Sequence, residues 1–130
     1  MRPALFFCSL LAVCSAIGCE GNDANVAAGT YKGTLSGSQG GSPFSMSVTF
    51  TIDQGGDRFN GTFATDSGCS GPFFGGTTGS RLEFFIDHNG PCPGRGSFGG
   101  SGAVSESRIF GSYGCAPCQP PLLVQFEAHK

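Results

Sequence analysis

The chain has 130 residues, among them 23 glycines, 8 prolines and 13 phenylalanines, with 12% charged residues and a formal net charge of −2. A charge that small, with Lys and Arg scattered singly, excludes a nucleic-acid partner held through a basic surface. The phenylalanines and β-branched residues supply a core, which excludes a wholly disordered chain, and the length fits one domain of short, punctuated strands.

After Met1-Arg2-Pro3, the run from Ala4 to Ile17 is apolar and small. A charged start and an apolar stretch are the parts of a signal peptide. The stretch is too short for a membrane span, which needs about 20 apolar residues. It ends in Ala16-Ile17-Gly18-Cys19. This tetrapeptide resembles a bacterial lipobox, with Ala16 where the pattern usually has Leu. Cys8 and Cys14 follow bulky Phe7 and Val13 and do not fit it. The resemblance implies removal of residues 1–18, a diacylglycerol on Cys19 and a membrane partner reached through that lipid. Glu20 follows Cys19 in place of Asp, which implies the outer membrane of the cell envelope, facing the periplasm. Several acyl chains anchor stably where one is marginal. The other reading is an ordinary cleaved leader with an incidental cysteine. Residues 19–28 are then the lipidated terminus and a flexible, polar tether, and residues 29–130 the folded domain.

Eight strands are expected in that domain. The first spans Gly29 to Ser36, with Tyr31, Gly33 and Leu35 on one face. A long loop over Gly37–Pro43 follows. The second, Phe44 to Asp53, has the strictest pattern: Phe44, Met46, Val48, Phe50 and Ile52 alternate with Ser and Thr, the period of a half-buried strand. Gln54-Gly55-Gly56-Asp57 is a hairpin signal. The third strand is Arg58 to Thr65, with Phe59, Gly61 and Phe63 inward. The fourth is Phe73 to Thr77 and the fifth Ser80 to Asp87, with Leu82, Phe84 and Ile86 inward and Phe85 outward. The sixth is Gly96 to Val104, with Phe98 inward. The seventh is Arg108 to Tyr113 and the eighth Leu122 to Ala128, with Leu122, Val124 and Phe126 inward.

The connections are expected to alternate long and short. In an up-and-down meander that places all long loops at one rim. The mature prolines, which cannot donate to a ladder, fall in or beside those loops, and so do Cys69, Cys92, Cys115 and Cys118. The fold class is therefore all-β, an eight-stranded antiparallel up-and-down meander barrel, with an open β-sandwich as the alternative. Gly29-Thr30-Tyr31 opening the first strand makes the domain similar to the calycin group, the lipocalins and avidins, which begin with Gly-x-Trp. The chain has no Trp, so neither biotin binding nor a lipocalin ligand is implied.

Export to an oxidising compartment favours disulfides among the four loop cysteines. Bonds between neighbouring loops are expected, not Cys115 to Cys118. A zinc set built on Cys115-x-x-Cys118 and a CxxC redox pair are the other readings. His88 beside Asp87 reads as a solvated loop residue, and no serine sits in a nucleophile elbow. No catalytic residues, no metal and no cofactor are assigned. The inward aromatics Phe44, Phe50, Phe59, Phe63, Phe84, Phe98 and Phe126 either fill the barrel or, with Tyr31, Phe50, Phe63, Phe84 and Phe98 as lining, form a cup for a small apolar ligand. The function expected is a non-catalytic binding or structural role at the envelope. A ligand carrier is the alternative, and an enzyme comes last.

Overall fold

The computed structural model describes residues 25–105 and 107–130. Eight antiparallel strands close into a barrel in simple chain order. They are β1 (Gly29–Gln39), β2 (Ser42–Gln54), β3 (Arg58–Thr65), β4 (Ser70–Thr78), β5 (Arg81–His88), β6 (Gly96–Ser105), β7 (Arg108–Cys115) and β8 (Leu122–His129). β1 pairs with both β2 and β8, so every strand has two neighbours and no edge is open. The meander barrel is the architecture, and the sandwich is not. The expected leader, Cys19 and Glu106 lie outside the described residues.

Alternation drives the closure. In β2, Val48, Phe50 and Ile52 are buried while Ser47 and Thr51 face solvent. In β8, Leu122, Val124, Phe126 and Ala128 are buried and the residues between them exposed. Apolar side chains inside and mainly polar ones outside are the reverse of a lipid-spanning barrel. Glycine permits the tight coiling. A Cβ at Gly33 would run into the Glu127 carbonyl of β8, and one at Gly102 into the Phe110 carbonyl of β7. Only glycine allows backbones to approach so closely.

The first connection departs from expectation. The β1–β2 ladder runs out to Gln39 opposite Ser42, leaving a two-residue turn of Gly40 and Gly41 at φ +59° and +85°. Two successive positive φ values make the type I′ hairpin that a Gly-Gly pair accepts. The Ser, Gln, Gly and Pro residues around it look like loop but form strand. Pro43 accordingly stands in the ladder opposite Ser38, and Pro72 opposite Thr62. Both are placed where one side of the strand is unpaired: β2 meets β3 only from Val48, and β4 meets β5 in register only from Phe73. A missing N–H costs nothing there.

The stretch expected to be tether is partly folded. Val26 is fully buried, and its carbonyl accepts a hydrogen bond from the Gly56 N–H at 2.9 Å. The Tyr31 hydroxyl donates to the Ala27 carbonyl at 2.9 Å, and the Thr77 hydroxyl to Asn25 Oδ1 at 3.2 Å. Residues 25–28 thus belong to the folded unit. They lie at the rim of the tight turns, where the C-terminus also rests, with the Lys130 N–H on the Ser107 carbonyl. The opposite rim carries the three cysteine loops together with the Gly40–Gly41 turn, whose Gly40 N–H donates to the Pro121 carbonyl at 2.8 Å.

Candidate functional site

The barrel interior is occupied by rings. Phe50 is the hub, with centroids 4.7 Å from Phe73, 4.9 Å from Phe126 and 6.3 Å from Phe63. Phe84 lies 5.5 Å from Phe73 and 5.3 Å from Phe126. These tilted and edge-on arrangements are the favoured aromatic geometries. The inward glycines of β6 and β7 make room for them. A Cβ at Gly111 would sit 2.8 Å from Phe84 Cε2 and 3.1 Å from Phe126 Cζ, and one at Gly100 would also strike the Phe84 ring. Of the residues expected to line a cup, Phe50, Phe63 and Phe84 pack in this cluster. Phe98 meets His88 and Tyr113 at the cysteine rim, and Tyr31 lies at the opposite end, bonded to Ala27. Phe44, expected inward, is half-buried near the hairpin tip. Phe73 is fully buried at the centre and was not among the expected inward residues. In Phe73-Phe74 only the register, with Phe73 opposite Ile86, separates core from surface.

At the cysteine rim two disulfides form. Cys69–Cys92 joins the loops after β3 and β5, with Cα atoms 4.7 Å apart. Cys115–Cys118 closes within the loop after β7, with Cα atoms 5.3 Å apart. The second pairing corrects the expectation of bonds between neighbouring loops only. The chain turns at the end of β7 and brings Cys118 back to Cys115 within disulfide reach. All four thiols are engaged, so the tetrahedral zinc set lacks its thiolates. Donor atoms of Cys69, His88 and Cys92 lie within 4.8 Å of one another, but both sulfurs there belong to the disulfide.

His88 is not a solvated loop residue. It is the last residue of β5 and only 1% exposed, the one buried polar side chain among the described residues. Its Nδ1 lies 3.0 Å from the Pro93 carbonyl and its Nε2 2.6 Å from the Tyr113 hydroxyl. A carbonyl only accepts, so Nδ1 carries the proton and Nε2 accepts from the Tyr113 O–H. Desolvation is the main influence and pushes the His88 pKa below its ordinary value, against the raising effects of the Pro93 and Gly94 backbone and of Asp87. Burial pushes the Tyr113 hydroxyl up. With both nitrogens engaged, the imidazole works as a strut between β5, β7 and the loop at Pro93. The signal for it was present: Leu82, Phe84 and Ile86 set a period of two, which continues to position 88 once the strand is extended by one residue.

The outer face holds a feature that no motif in the sequence marks. A groove of about 960 Å³ crosses β3 to β6. Phe74 and Phe85, cross-strand partners, are 42% and 55% exposed and stacked with centroids 5.6 Å apart and planes at 28°. The Phe85 ring also reaches across to Gly99, where a Cβ would sit 3.4 Å from Cε1. Gln54, Asp57, Asn60 and the Arg81–Glu83 ion pair, at 3.2 Å, supply polar groups around the rings. Beyond Ser101 the groove meets a second hollow of about 450 Å³, lined in part by Ser112, Gln125 and Ser36. Ladder register makes one continuous row of these residues: Glu83 pairs with Ser101, Ser101 with Ser112, Ser112 with Gln125 and Gln125 with Ser36. Adjacent strands lie about 4.8 Å apart, so the row presents a hydrogen-bonding side chain at each step around half the barrel.

Comparison with protein-family models, with curated proteins and with solved structures returns no match to this chain.

Proposed function

We propose that the protein is a lipid-anchored component of the bacterial cell envelope, fixed through Cys19 at the outer membrane, that binds a linear glycan along its outer face without catalysis. The anchor rests on the lipobox resemblance of Ala16-Ile17-Gly18-Cys19. The binding role rests on one observation: a stacked, exposed Phe74–Phe85 pair that opens onto the row Glu83, Ser101, Ser112, Gln125, Ser36. Exposed aromatic surface rimmed by polar groups marks an interaction site. A sugar ring offers C–H groups to an aromatic face and hydroxyls to donors and acceptors. The Phe74–Phe85 pair offers the aromatic contact at one end, and the row supplies hydrogen-bonding contacts repeated along a line leading away from it. A carrier of a small apolar ligand inside the barrel is the weaker reading, because the rings of Phe50, Phe73, Phe84 and Phe126 pack together in that space.

Titration of the folded domain with linear oligosaccharides of increasing length, followed by calorimetry, tests the reading. Affinity should rise with chain length, and Phe85→Ala should weaken it by about tenfold while leaving the barrel folded, at a stability cost of about 1 kcal/mol for the lost cross-strand aromatic pair. Oligosaccharides that fail to bind, or an unchanged affinity in Phe85→Ala, would remove the groove from consideration.

A further inference from the structure

Cys115–Cys118 is placed for reaction with thiols. Both of its cysteines are half-buried, Cys115 at the end of β7 and Cys118 on the loop that follows, whereas in the other disulfide Cys69 is fully buried and only Cys92 is half-buried. It spans a sequence separation of 3, so it restricts the unfolded chain far less than a long cross-link. Accessible disulfides are the exchangeable ones, and buried structural ones resist reduction. Beside it lies a hollow of about 440 Å³, floored by Gly114, Ala116, Pro121, Leu122 and Leu123, with Leu123 61% exposed. The disulfide specifies that the partner carries a thiol, and the apolar floor specifies what surrounds that thiol.

We propose that Cys115–Cys118 exchanges with the dithiol of an extended apolar polypeptide segment seated on this hollow. A substrate thiolate attacks the Sγ of Cys118, which lies on the loop and, unlike Cys115, is not among the half-buried residues packed against the core. The bond between Cys118 and Cys115 breaks, a substrate–Cys118 disulfide forms and Cys115 leaves as thiolate. Cys115 packs against the core and keeps its place at the end of β7. The second substrate thiolate attacks the substrate sulfur of the mixed disulfide and releases Cys118 as thiolate. The substrate departs with a new disulfide. Two electrons pass to the cysteine pair, and the two protons lost by the substrate thiols end on Cys115 and Cys118. One disulfide is transferred per chain.

The experiment mixes the full, oxidised chain with a reduced peptide that carries two cysteines among Leu and Val residues, and separately with a peptide whose flanks are Ser and Asn. Acid quenching, alkylation and mass mapping then follow each disulfide. Cys115–Cys118 should open, with one peptide oxidised per chain, at least about tenfold faster than Cys69–Cys92. The apolar peptide should react several-fold faster than the polar one, and Leu123→Ser should abolish that preference without changing the rate with dithiothreitol. Equal opening rates for the two disulfides, or equal rates for the two peptides on the unaltered chain, would overturn the proposal.

Discussion

Cys69–Cys92 and Cys115–Cys118 cross-link the same rim, yet the first ties residues 23 apart in sequence and the second residues 3 apart. Around the first, the rim is continuous with the core. Cys69 is fully buried, His88 packs against Phe63, Phe98 and Tyr113, and the loops are bridged by reciprocal Ser70 and Asn89 backbone bonds. Around the second, the loop is held to the barrel through the Gly40 N–H on the Pro121 carbonyl and presents apolar side chains outward. The contrast teaches that four cysteines on one rim need not do one job. Chain entropy rewards the long cross-link, at roughly 3 kcal/mol against about 2 kcal/mol or less for the short one.

The largest effect should come from replacing Cys69 and Cys92 together by alanine, a loss of about 3 kcal/mol in denaturant unfolding. A smaller loss than that from removing Cys115 and Cys118 would erase the distinction. Tyr113→Phe comes next. It leaves His88 Nε2 buried without its donor, which should cost about 1–3 kcal/mol and separates the strut from the disulfide as a source of rim stability. A Cys115→Ser, Cys118→Ser double substitution should cost less than the Cys69 and Cys92 pair and leave the melting transition cooperative.

The smallest effect is one of pH. His88 is neutral when folded and its folded pKa lies below its ordinary 6.5. The unfolded chain therefore binds the extra proton first as pH falls. The stability that His88 contributes is fully present above about pH 6.5 and is lost as pH drops toward its folded value, with a slope of at most about 1.4 kcal/mol per pH unit from this one group. Unfolding curves between pH 7 and pH 5 should show this slope in the parent chain and a reduced one in a His88→Phe variant. Identical slopes would mean that His88 is not buried neutral.

The barrel was legible because its cause is local: serine and threonine alternating with Phe50, Val48 and Ile52 dictate a two-faced strand wherever that segment sits. Strand ends were less so. Gly37-Ser38-Gln39 has no apolar mark to announce strand, yet β1 holds it there through pairing with β8 as well as β2. His88 was lost to the same cause, a boundary one residue short. The outer site was hardest to see, because Glu83, Ser101, Ser112, Gln125 and Ser36 lie on five strands and share only a row of the ladder. No spacing along the chain encodes that row. Phe85 was expected outward, but its stacking on Phe74 depends on a register that the sequence does not display.

The position of β1 bears on how the molecule carries load. The folded chain begins beside β1, which is paired along its length with β2 and over Lys32 to Gln39 with β8. If Cys19 holds the protein to a membrane and the glycan row is gripped from outside, tension enters through the first strand along its own axis. From Lys32 onward that strand has no free side from which to be unzipped bond by bond. Pulling loads both ladders in shear, so many hydrogen bonds must yield together. A domain tethered through such a strand should withstand far more force drawn from its N-terminus than the same barrel would if tension peeled a hairpin away from an open sheet.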